Sequence, residues 1–239
     1  MFLNSNSLPE KLHSKYCIIG SGVGGSSVIE ALLKNGKNNF ILIEAGGKDG
    51  NSDLVQSINL GRSFNMPLTR SIQLGGTTNI WGGGFSPLDD IDFEAKDENG
   101  VFRWPFTKDE LLLSYAKAAS LFGIPNLDLF NRSSLPKSRR KQIDHLKSNK
   151  NVMQEKIFQI PLPLYRFKER LEEIFKNSNT RHCVLNSPAL ELLYSNGTVT
   201  AVKVGTKNAI KIIEADNFII CAGALETPRL LLNSNIDNP

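Results

Sequence analysis

The pattern Gly20-x-Gly22-x-x-Gly25, directly after the apolar run Tyr16 to Ile19, most constrains what this chain can fold into. Apolar residues recur behind the pattern at helical spacing, and Gly36 is placed to end that helix. In such a pattern the first glycine permits a tight turn, the second lets the backbone approach a pyrophosphate, and the third lets helix and strand pack closely. The sequence therefore predicts a strand, a tight turn and a helix whose N-terminus binds phosphate groups.

A second β-rich run, Phe40 to Ile43, follows the helix and ends at Glu44. Together the two runs and the helix predict a βαβ unit of a parallel sheet with a right-handed crossover. Glu44 lies 19 residues after Gly25, where a carboxylate can accept hydrogen bonds from ribose hydroxyls. We therefore expect a dinucleotide site, but these features alone do not separate FAD from NAD.

The segment from Leu74 to Gly84 is a second glycine-rich stretch, with small hydroxyl residues between its five glycines. Glycines there allow close backbone approach to a flat or phosphorylated group. A purely structural Ω-loop has the same composition. Taken alone, the segment leaves both interpretations open.

The remaining chain carries signals for helices and for a β-meander. Thr107 and Glu110 form a capping box that predicts a helix ending near Gly123, and a further helix is predicted at Phe167 to Phe175. Asn196-Gly197 predicts a hairpin turn. Strands are predicted at His182 to Asn186, Leu190 to Tyr194, Val199 to Val204, Ile210 to Ile213 and Phe218 to Cys221, and Thr227-Pro228 is predicted to open a last helix that reaches Asn233.

Four motifs in this order resemble the glucose-methanol-choline (GMC) family of flavoprotein oxidoreductases, over nearly the whole chain. They are the N-terminal glycine pattern with Glu44-Ala45-Gly46-Gly47, the loop Gly75-Gly76-Thr77-Thr78-Asn79-Ile80-Trp81-Gly82-Gly83, Trp104-Pro105-Phe106 before a helix, and Ala222-Gly223-Ala224-Leu225-Glu226-Thr227-Pro228-Arg229-Leu230-Leu231. The resemblance is to the N-terminal portion of the family. It implies an α/β fold: a Rossmann-like FAD-binding domain with a parallel sheet and a β-meander, formed by residues 1–85 and 180–239. An incomplete substrate or cap region is expected at residues 86–179.

The resemblance also implies a set of residues for FAD. Gly20, Gly22 and Gly25 are expected to hold the pyrophosphate and Glu44 the adenosine ribose. Gly75, Gly76, Thr77 and Asn79 are expected along the pyrophosphate and flavin, a backbone group near Leu190 at the adenine, and Ala222 and Gly223 close to the cofactor.

The position before Trp81 bears on how the flavin is held. In some sugar-oxidising relatives a histidine directly before that tryptophan is joined covalently to FAD. Ile80 stands there and has no nucleophile, so the resemblance implies non-covalent FAD.

The base expected from the resemblance lies outside this chain. The family oxidises a CH–OH group of a sugar, polyol or other alcohol, with a C-terminal histidine taking the hydroxyl proton while hydride passes to flavin. That histidine is expected beyond Pro239, whereas His13, His145 and His182 fit surface or packing positions better. The catalytic residues are therefore unknown from this sequence.

Three functions remain open at this point. The chain is expected to be the FAD-binding portion of an oxidoreductase that acts together with a C-terminal region. The alternative is a truncated or split cofactor-binding fragment without turnover, whose partner is a separate C-terminal chain. An NAD-linked dehydrogenase shares the first βαβ unit, but the second glycine-rich loop argues against it.

The composition of the chain bears on its partners and its location. Lys plus Arg number 28 against 24 for Asp plus Glu, and a net charge of +4 is too mild to demand nucleic acid. The N-terminus lacks the apolar run of an export signal, and no stretch approaches the roughly 20 apolar residues of a membrane span. We expect a cytoplasmic protein. The cysteines Cys17, Cys183 and Cys221 show neither a disulfide framework nor zinc spacing, and no metal site is predicted.

Overall fold

The computed structural model of the chain describes residues 1–4, 8–9, 12–50, 66–94, 104–124, 130–131, 133, 135–138, 156–176, 178–206 and 209–236. It divides into two compact units. Met1–Trp81 and Arg166–Pro239 form the first unit, and Gly82–Tyr165 forms the second. The domain boundaries expected from the sequence, at residues 85/86 and 179/180, stay a prediction.

The first unit contains one sheet of seven strands in the order β1-β4-β3-β2-β7-β6-β5. The strands are β1 (Phe2–Asn4), β2 (His13–Ile19), β3 (Phe40–Ile43), β4 (Arg181–Leu185), β5 (Ala189–Ser195), β6 (Thr198–Gly205) and β7 (Ile210–Ile220). The first five strands in that order pair in parallel, and β7, β6 and β5 form an antiparallel meander. The predicted α/β fold with a parallel sheet and a β-meander is confirmed.

The described helices lie between and after these strands. They are α1 (Val23–Lys34), α2 (Met66–Thr69), α3 (Asp90–Glu94), α4 (Leu112–Leu121), α5 (Phe167–Phe175) and α6 (Gly223–Asn233), with single 3₁₀ turns at Gly76–Asn79 and Asp109–Leu111. Helix α1 connects the parallel strands β2 and β3, which confirms the predicted βαβ unit. Within the described part of the chain, no helix is both long and apolar enough to cross a bilayer.

The core of the first unit forms where the parallel strands are covered on their faces. All four residues of β3 are buried, as expected for a strand inside a parallel sheet. Phe175 of α5 packs edge-to-face on Phe40, with ring centroids 5.8 Å apart. On α6, Leu230 is fully buried in the cluster that contains the inward-facing residues of the meander. This packing places the N-terminus of α6, at Gly223, close to the carboxyl end of β7.

Two of the predicted elements differ from the sequence-based expectation, and β1, α2 and α3 were not predicted. β7 is one strand, not two, because its polar middle pairs with β2 from His13 onward while its start pairs with β6. Helix α6 begins at Gly223, not near Thr227, so Pro228 lies inside the helix. A proline there removes one backbone hydrogen bond near the N-terminal end of α6, and the packed helix tolerates that loss.

Local turn and cap signals in the sequence are confirmed. Asn196 and Gly197 both have positive φ, 52° and 75°, between β5 and β6, as a two-residue hairpin turn requires. In the second unit, the Thr107 amide donates to Glu110 Oε2 at 2.6 Å, and the Glu110 amide donates back to Thr107 Oγ1 at 3.4 Å. This capping box precedes α4, as predicted.

The second unit also has a small aromatic cluster. The ring centroids of Phe85 and Phe122 are 4.4 Å apart, and Tyr165 packs edge-on against Phe122 at 5.3 Å. Phe85 forms an antiparallel β-bridge with Gln159. These contacts hold the two ends of the unit together.

Candidate functional site

A cavity of about 850 Å³ opens at the carboxyl ends of the parallel strands. Ile19, Ile43 and Ile220, the last residues of β2, β3 and β7, all line it. In open α/β sheets ligands bind outside the carboxyl ends of the strands, so this is where the fold itself places a ligand.

Glycine occurs at different positions of the first turn for different structural reasons. Gly20 has φ +99°, and an added Cβ would lie 2.5 Å from the Cys221 carbonyl oxygen. A Cβ on Gly25 would lie 1.9 Å from the Gly20 carbonyl oxygen. Gly22 has φ −63°, and among the described residues no atom beyond its neighbours lies within 4 Å of an added Cβ. Packing requires Gly20 and Gly25, but it does not require Gly22.

Helix α1 directs its N-terminus at the cavity. Gly22, Val23 and Gly24 line the cavity, and no side chain caps the helix among the described residues. The first turn carries no acidic residue. Amide groups without a partner, at the positive end of the helix dipole, favour an anion at this point.

Glu44 is buried at the edge of the same cavity. Its Oε2 accepts hydrogen bonds from the Ser21 amide at 3.0 Å and the Ser21 hydroxyl at 2.5 Å, and its Oε1 accepts one from the Gly46 amide at 3.0 Å. Burial raises the pKa of Glu44 above its ordinary value, although these hydrogen bonds act in the opposite direction. The donors hold the carboxylate in one orientation.

Ser21 connects this turn to the second glycine-rich segment. Its hydroxyl oxygen accepts a hydrogen bond from the Gly75 amide at 2.9 Å while the hydroxyl donates to Glu44. Sequence reasoning did not identify Ser21, and the only signal for it was a small hydroxyl residue between two glycines of the pattern.

The segment Gly75–Trp81 lies against the first turn. Gly76, Thr77, Thr78 and Trp81 line the cavity. A Cβ added to Gly76 would lie 2.7 Å from the Gly22 Cα, so the two glycine segments pack backbone to backbone.

Arg166 holds this segment from the start of α5. Its Nη1 donates to the carbonyl oxygens of Thr78 and Trp81, the latter at 3.1 Å. The Phe167 amide, at the N-terminus of the same helix, donates to Thr78 Oγ1 at 3.4 Å. Arg166 does not line the cavity itself, and no sequence pattern indicated its role because its partners lie more than eighty residues earlier in the chain.

An ion cluster forms another part of the cavity wall. Arg70 Nη2 donates to Glu226 Oε1 at 2.9 Å, and Arg229 Nε donates to Glu226 Oε2. Arg229 Nη2 also donates to the Ala189 carbonyl oxygen at 3.0 Å. Burial acts to raise the pKa of Glu226, but the hydrogen bonds and charges of Arg229 and Arg70 outweigh it, and the pKa lies below its ordinary value. All three ionic side chains belong to cavity-lining residues, and none was predicted as a site residue.

The cavity brings most of the predicted cofactor residues together. Those that line it are Gly20, Gly22, Glu44, Gly76, Thr77, Ala222 and Gly223. Those that do not are Gly25, Gly75, Asn79 and Leu190.

The predicted residues outside the lining support it indirectly. A Cβ added to Gly75 would lie 2.8 Å from the Lys168 amide nitrogen, and Asn79 Nδ2 donates to the Leu74 and Gly76 carbonyl oxygens at 2.8 and 2.9 Å. Leu190 packs its side chain against Gly205. Its neighbours Pro188 and Ala189 line the cavity instead.

Of the histidines in the described ranges, neither lines the cavity. His13 Nε2 lies 3.0 Å from an Asp216 carboxylate oxygen, and His182 lies on β4, where burial lowers its pKa. His145 lies outside the described residues. These positions leave a catalytic base unassigned.

Solved structures similar to this chain include several flavoproteins, whereas no protein-family model and no curated protein matches it. A pyridoxine 4-oxidase from Mesorbium loti is 19% identical with a TM-score of 0.61, over 93% of this chain and 52% of that chain. A formate oxidase variant from Aspergillus oryzae, described in connection with FAD modification, is 17% identical with a TM-score of 0.54, over 96% and 48%. An FAD-dependent oxidoreductase from Chaetomium thermophilum is 15% identical with a TM-score of 0.57, over 93% and 48%.

At these identities the similarity establishes the fold. The chain has the α/β fold of FAD-dependent oxidoreductases, which confirms, for the fold, the resemblance seen in the sequence. It spans about half the length of the solved structures that it matches.

Proposed function

We propose that the chain binds FAD without a covalent bond, as the FAD-binding portion of an oxidoreductase that oxidises a CH–OH group of a sugar, polyol or other alcohol. The observation that carries the proposal is Gly22. Neither its φ nor protein packing calls for glycine there, yet it lies in the cavity at the uncapped N-terminus of α1. Close approach of a pyrophosphate explains a glycine at that position.

The cavity residues divide into regions that suit the parts of FAD. The pyrophosphate lies at the Gly20–Gly25 turn, and Glu44 accepts hydrogen bonds from the adenosine ribose. The adenine lies near Leu190, at the backbone of Pro188 and Ala189. The Ser187 amide donates to the Glu44 carbonyl oxygen at 3.0 Å, so the backbone at Pro188 lies next to Glu44, as the adenine lies next to its ribose.

The flavin is assigned to the side of Gly76, Thr77, Ala222 and Gly223. Bound there, FAD supplies the acceptor for a hydride from the alcohol carbon. Gly75 and Asn79 serve the same region by holding the loop that carries Gly76 and Thr77.

Ile80 supports dissociable FAD. Its side chain is 46% exposed and does not line the cavity. Since isoleucine has no nucleophile, this position offers no covalent link to the flavin.

A cofactor-binding fragment without turnover is the second candidate function. Neither described histidine lines the cavity, and this observation favours the second candidate. In this case a separate C-terminal chain supplies the base and the substrate site, and a small alcohol or sugar binds only to the pair. The cytoplasmic location stays a prediction.

The purified chain, reconstituted with FAD and desalted, tests these functions. A flavin absorption band supports FAD binding under both functions, and bleaching of that band by sugars or alcohols supports the oxidoreductase and excludes a fragment without turnover. Release of all the flavin by acid precipitation supports non-covalent binding. A colourless protein whose melting temperature is unchanged by FAD or NAD contradicts both candidates, and stabilisation by NAD alone supports an NAD-linked dehydrogenase.

A further inference from the structure

Three separate parts of the cavity wall are joined through Glu226 and its partner Arg229. We call these parts the three walls. The first is the segment after α2, which contains Arg70, and the second is the first turn of α6, which contains Glu226. The third is the start of β5, which contains Ala189. Arg70 binds Glu226 across 156 residues of sequence, and Arg229 binds both Glu226 and the Ala189 carbonyl oxygen. We call the side chains of Arg70, Glu226 and Arg229 the wall clasp.

We propose that Glu226 is a positioning residue that keeps the three walls together around the cofactor and so slows the release of FAD. The inference rests on the proposed function, because it assumes that FAD occupies the cavity. It assigns to the wall clasp a role in cofactor retention, separate from any direct contact with FAD.

The charge of Glu226 is the first argument for this role. The clasp contains two guanidinium groups and one carboxylate, and its net charge is therefore +1. By charge alone, a carboxylate in the wall of a site for an anionic pyrophosphate weakens binding. Its presence there is better explained by the geometry that it imposes on the two arginines.

The second argument is burial. The side chains of Arg70 and Glu226 are 20% and 16% exposed, so solvent screens the pair less than a surface ion pair. Among the residues that the structure describes, Glu226 is the one to which the Arg70 side chain hydrogen-bonds. Without Glu226, the Arg70 guanidinium loses the partner that fixes its position, and the wall after α2 loses its connection to α6.

The structure offers a closely matched control in Glu30. Arg170 of α5 binds it with Nε at 2.5 Å and Nη2 at 3.2 Å, which joins α1 to α5. The Glu30 side chain is 19% exposed, close to the value for Glu226, but Glu30 does not line the cavity. Glu30→Gln therefore removes an ion pair between distant elements without touching the site, and Arg170, which is 42% exposed, keeps Glu173 as a second partner.

The test compares the rate of FAD dissociation in Glu226→Gln, Arg70→Gln and the E30Q control, with the released flavin trapped. The wall clasp predicts that E226Q and R70Q each release FAD about tenfold faster, with E30Q unchanged. The double variant E226Q/R70Q should be no faster than either single variant, because both break the same link. A simple charge effect predicts opposite changes, with E226Q slower and R70Q faster.

The rate of amide hydrogen exchange in the FAD-free protein tests the wall clasp independently of the cofactor. The Arg70 amide donates to the Met66 carbonyl oxygen and the Ser71 amide to Thr77 Oγ1, so both report on the wall after α2. E226Q should speed their exchange, and E30Q should not.

Normal or slower FAD release from E226Q, in a chain that binds FAD, overturns the inference and leaves the proposed function intact. Failure of the unmutated chain to bind FAD contradicts the proposed function itself. It then also contradicts the inference, because the wall clasp has no FAD to retain. Should E226Q fail to fold, R70Q leaves α6 untouched and carries the test through amide exchange in the FAD-free protein, where a charge effect on FAD does not act. The wall clasp predicts faster exchange of the Ser71 amide in R70Q than in E30Q, and equal exchange overturns the inference.

Discussion

The turn Gly20–Gly25 and the segment Gly75–Trp81 both contain glycines and both face the cavity, but only the first has glycines that the protein itself does not require. In the second segment, Gly75 and Gly76 have φ of +87° and +57°. Added Cβ atoms would also meet the backbone of Lys168 and Gly22 within 2.8 Å. Both glycines are therefore explained by the protein alone.

The first turn contains two such glycines, Gly20 and Gly25, and two that backbone contacts do not require, Gly22 and Gly24. Gly20 and Gly25 are required by backbone contacts, whereas Gly22 has a negative φ and open space beside it. The density of glycines thus does not distinguish a structural loop from a ligand site. A glycine that its own fold does not require is the more specific sign of a ligand.

The largest effect that this comparison predicts is for Gly25→Ala. Its Cβ would lie 1.9 Å from the Gly20 carbonyl oxygen, a backbone atom that cannot move without displacing the turn. We expect the free energy of unfolding of the FAD-free chain to fall by about 3 kcal/mol, at the upper end for overpacking. Urea unfolding measures the change.

The neighbouring glycine provides the control for that experiment. A Cβ on Gly24 would have its nearest contacts at 3.7 and 3.8 Å, on the Cys221 side chain, which is ordinary packing distance. Inside a helix, alanine is favoured over glycine by about 1 kcal/mol, so G24A should be neutral or more stable. Equal stability of G25A and G24A would contradict the packing argument.

The next effect is on the cofactor and separates Gly22 from the other glycines. Gly22→Ala should leave the unfolding free energy of the FAD-free chain within about 0.5 kcal/mol, since nothing in the described residues meets the added methyl group. The Kd for FAD should rise about tenfold or more, because the methyl group occupies the space proposed for the pyrophosphate. Fluorescence titration with FAD measures it.

Gly82→Ala is the matched control for G22A. An added Cβ there also meets nothing within 4 Å among the described residues, but Gly82 does not line the cavity. G82A should therefore bind FAD like the unmutated chain. An unchanged Kd for G22A would remove the observation on which the proposed function depends.

The parts of the fold that could be predicted are those encoded over short distances in the sequence. The βαβ unit, the Thr107-Glu110 capping box and the Asn196-Gly197 hairpin each depend on residues within one or two elements. β7 was predicted as two strands because its polar middle is stabilised by pairing with β2, about two hundred residues away. Such pairing leaves no local signal.

The same limit applies to the candidate site. Gly20, Gly22 and Glu44 are placed in the cavity by a local pattern, and they were predicted. Arg70 and Glu226 meet across 156 residues, and only the fold brings them together. Glu226 did belong to a motif of the family resemblance, but nothing in that motif indicated an arginine partner.

The smallest effect concerns the segment that the protein itself holds in place. Arg166 contacts two carbonyl oxygens of Gly75–Trp81 with one nitrogen, Nη1, as part of a planar guanidinium. Arg166→Lys keeps the charge, but a lysine ammonium on a flexible chain replaces that geometry poorly. We expect the Kd for FAD to rise about threefold, equivalent to part of one hydrogen bond.

Arg181→Lys is the control for R166K, since Arg181 Nε donates to Ser178 Oγ at the start of β4, outside the cavity. The two variants should differ in Kd for FAD and not in the spectrum of bound flavin. If R166K and R181K bind FAD equally, then the hydrogen bonds of Ser21 and Asn79 suffice to hold the segment. In that case the segment Gly75–Trp81 holds its own conformation without Arg166. Its glycines are then explained by the protein alone, whereas Gly22 is explained by the ligand.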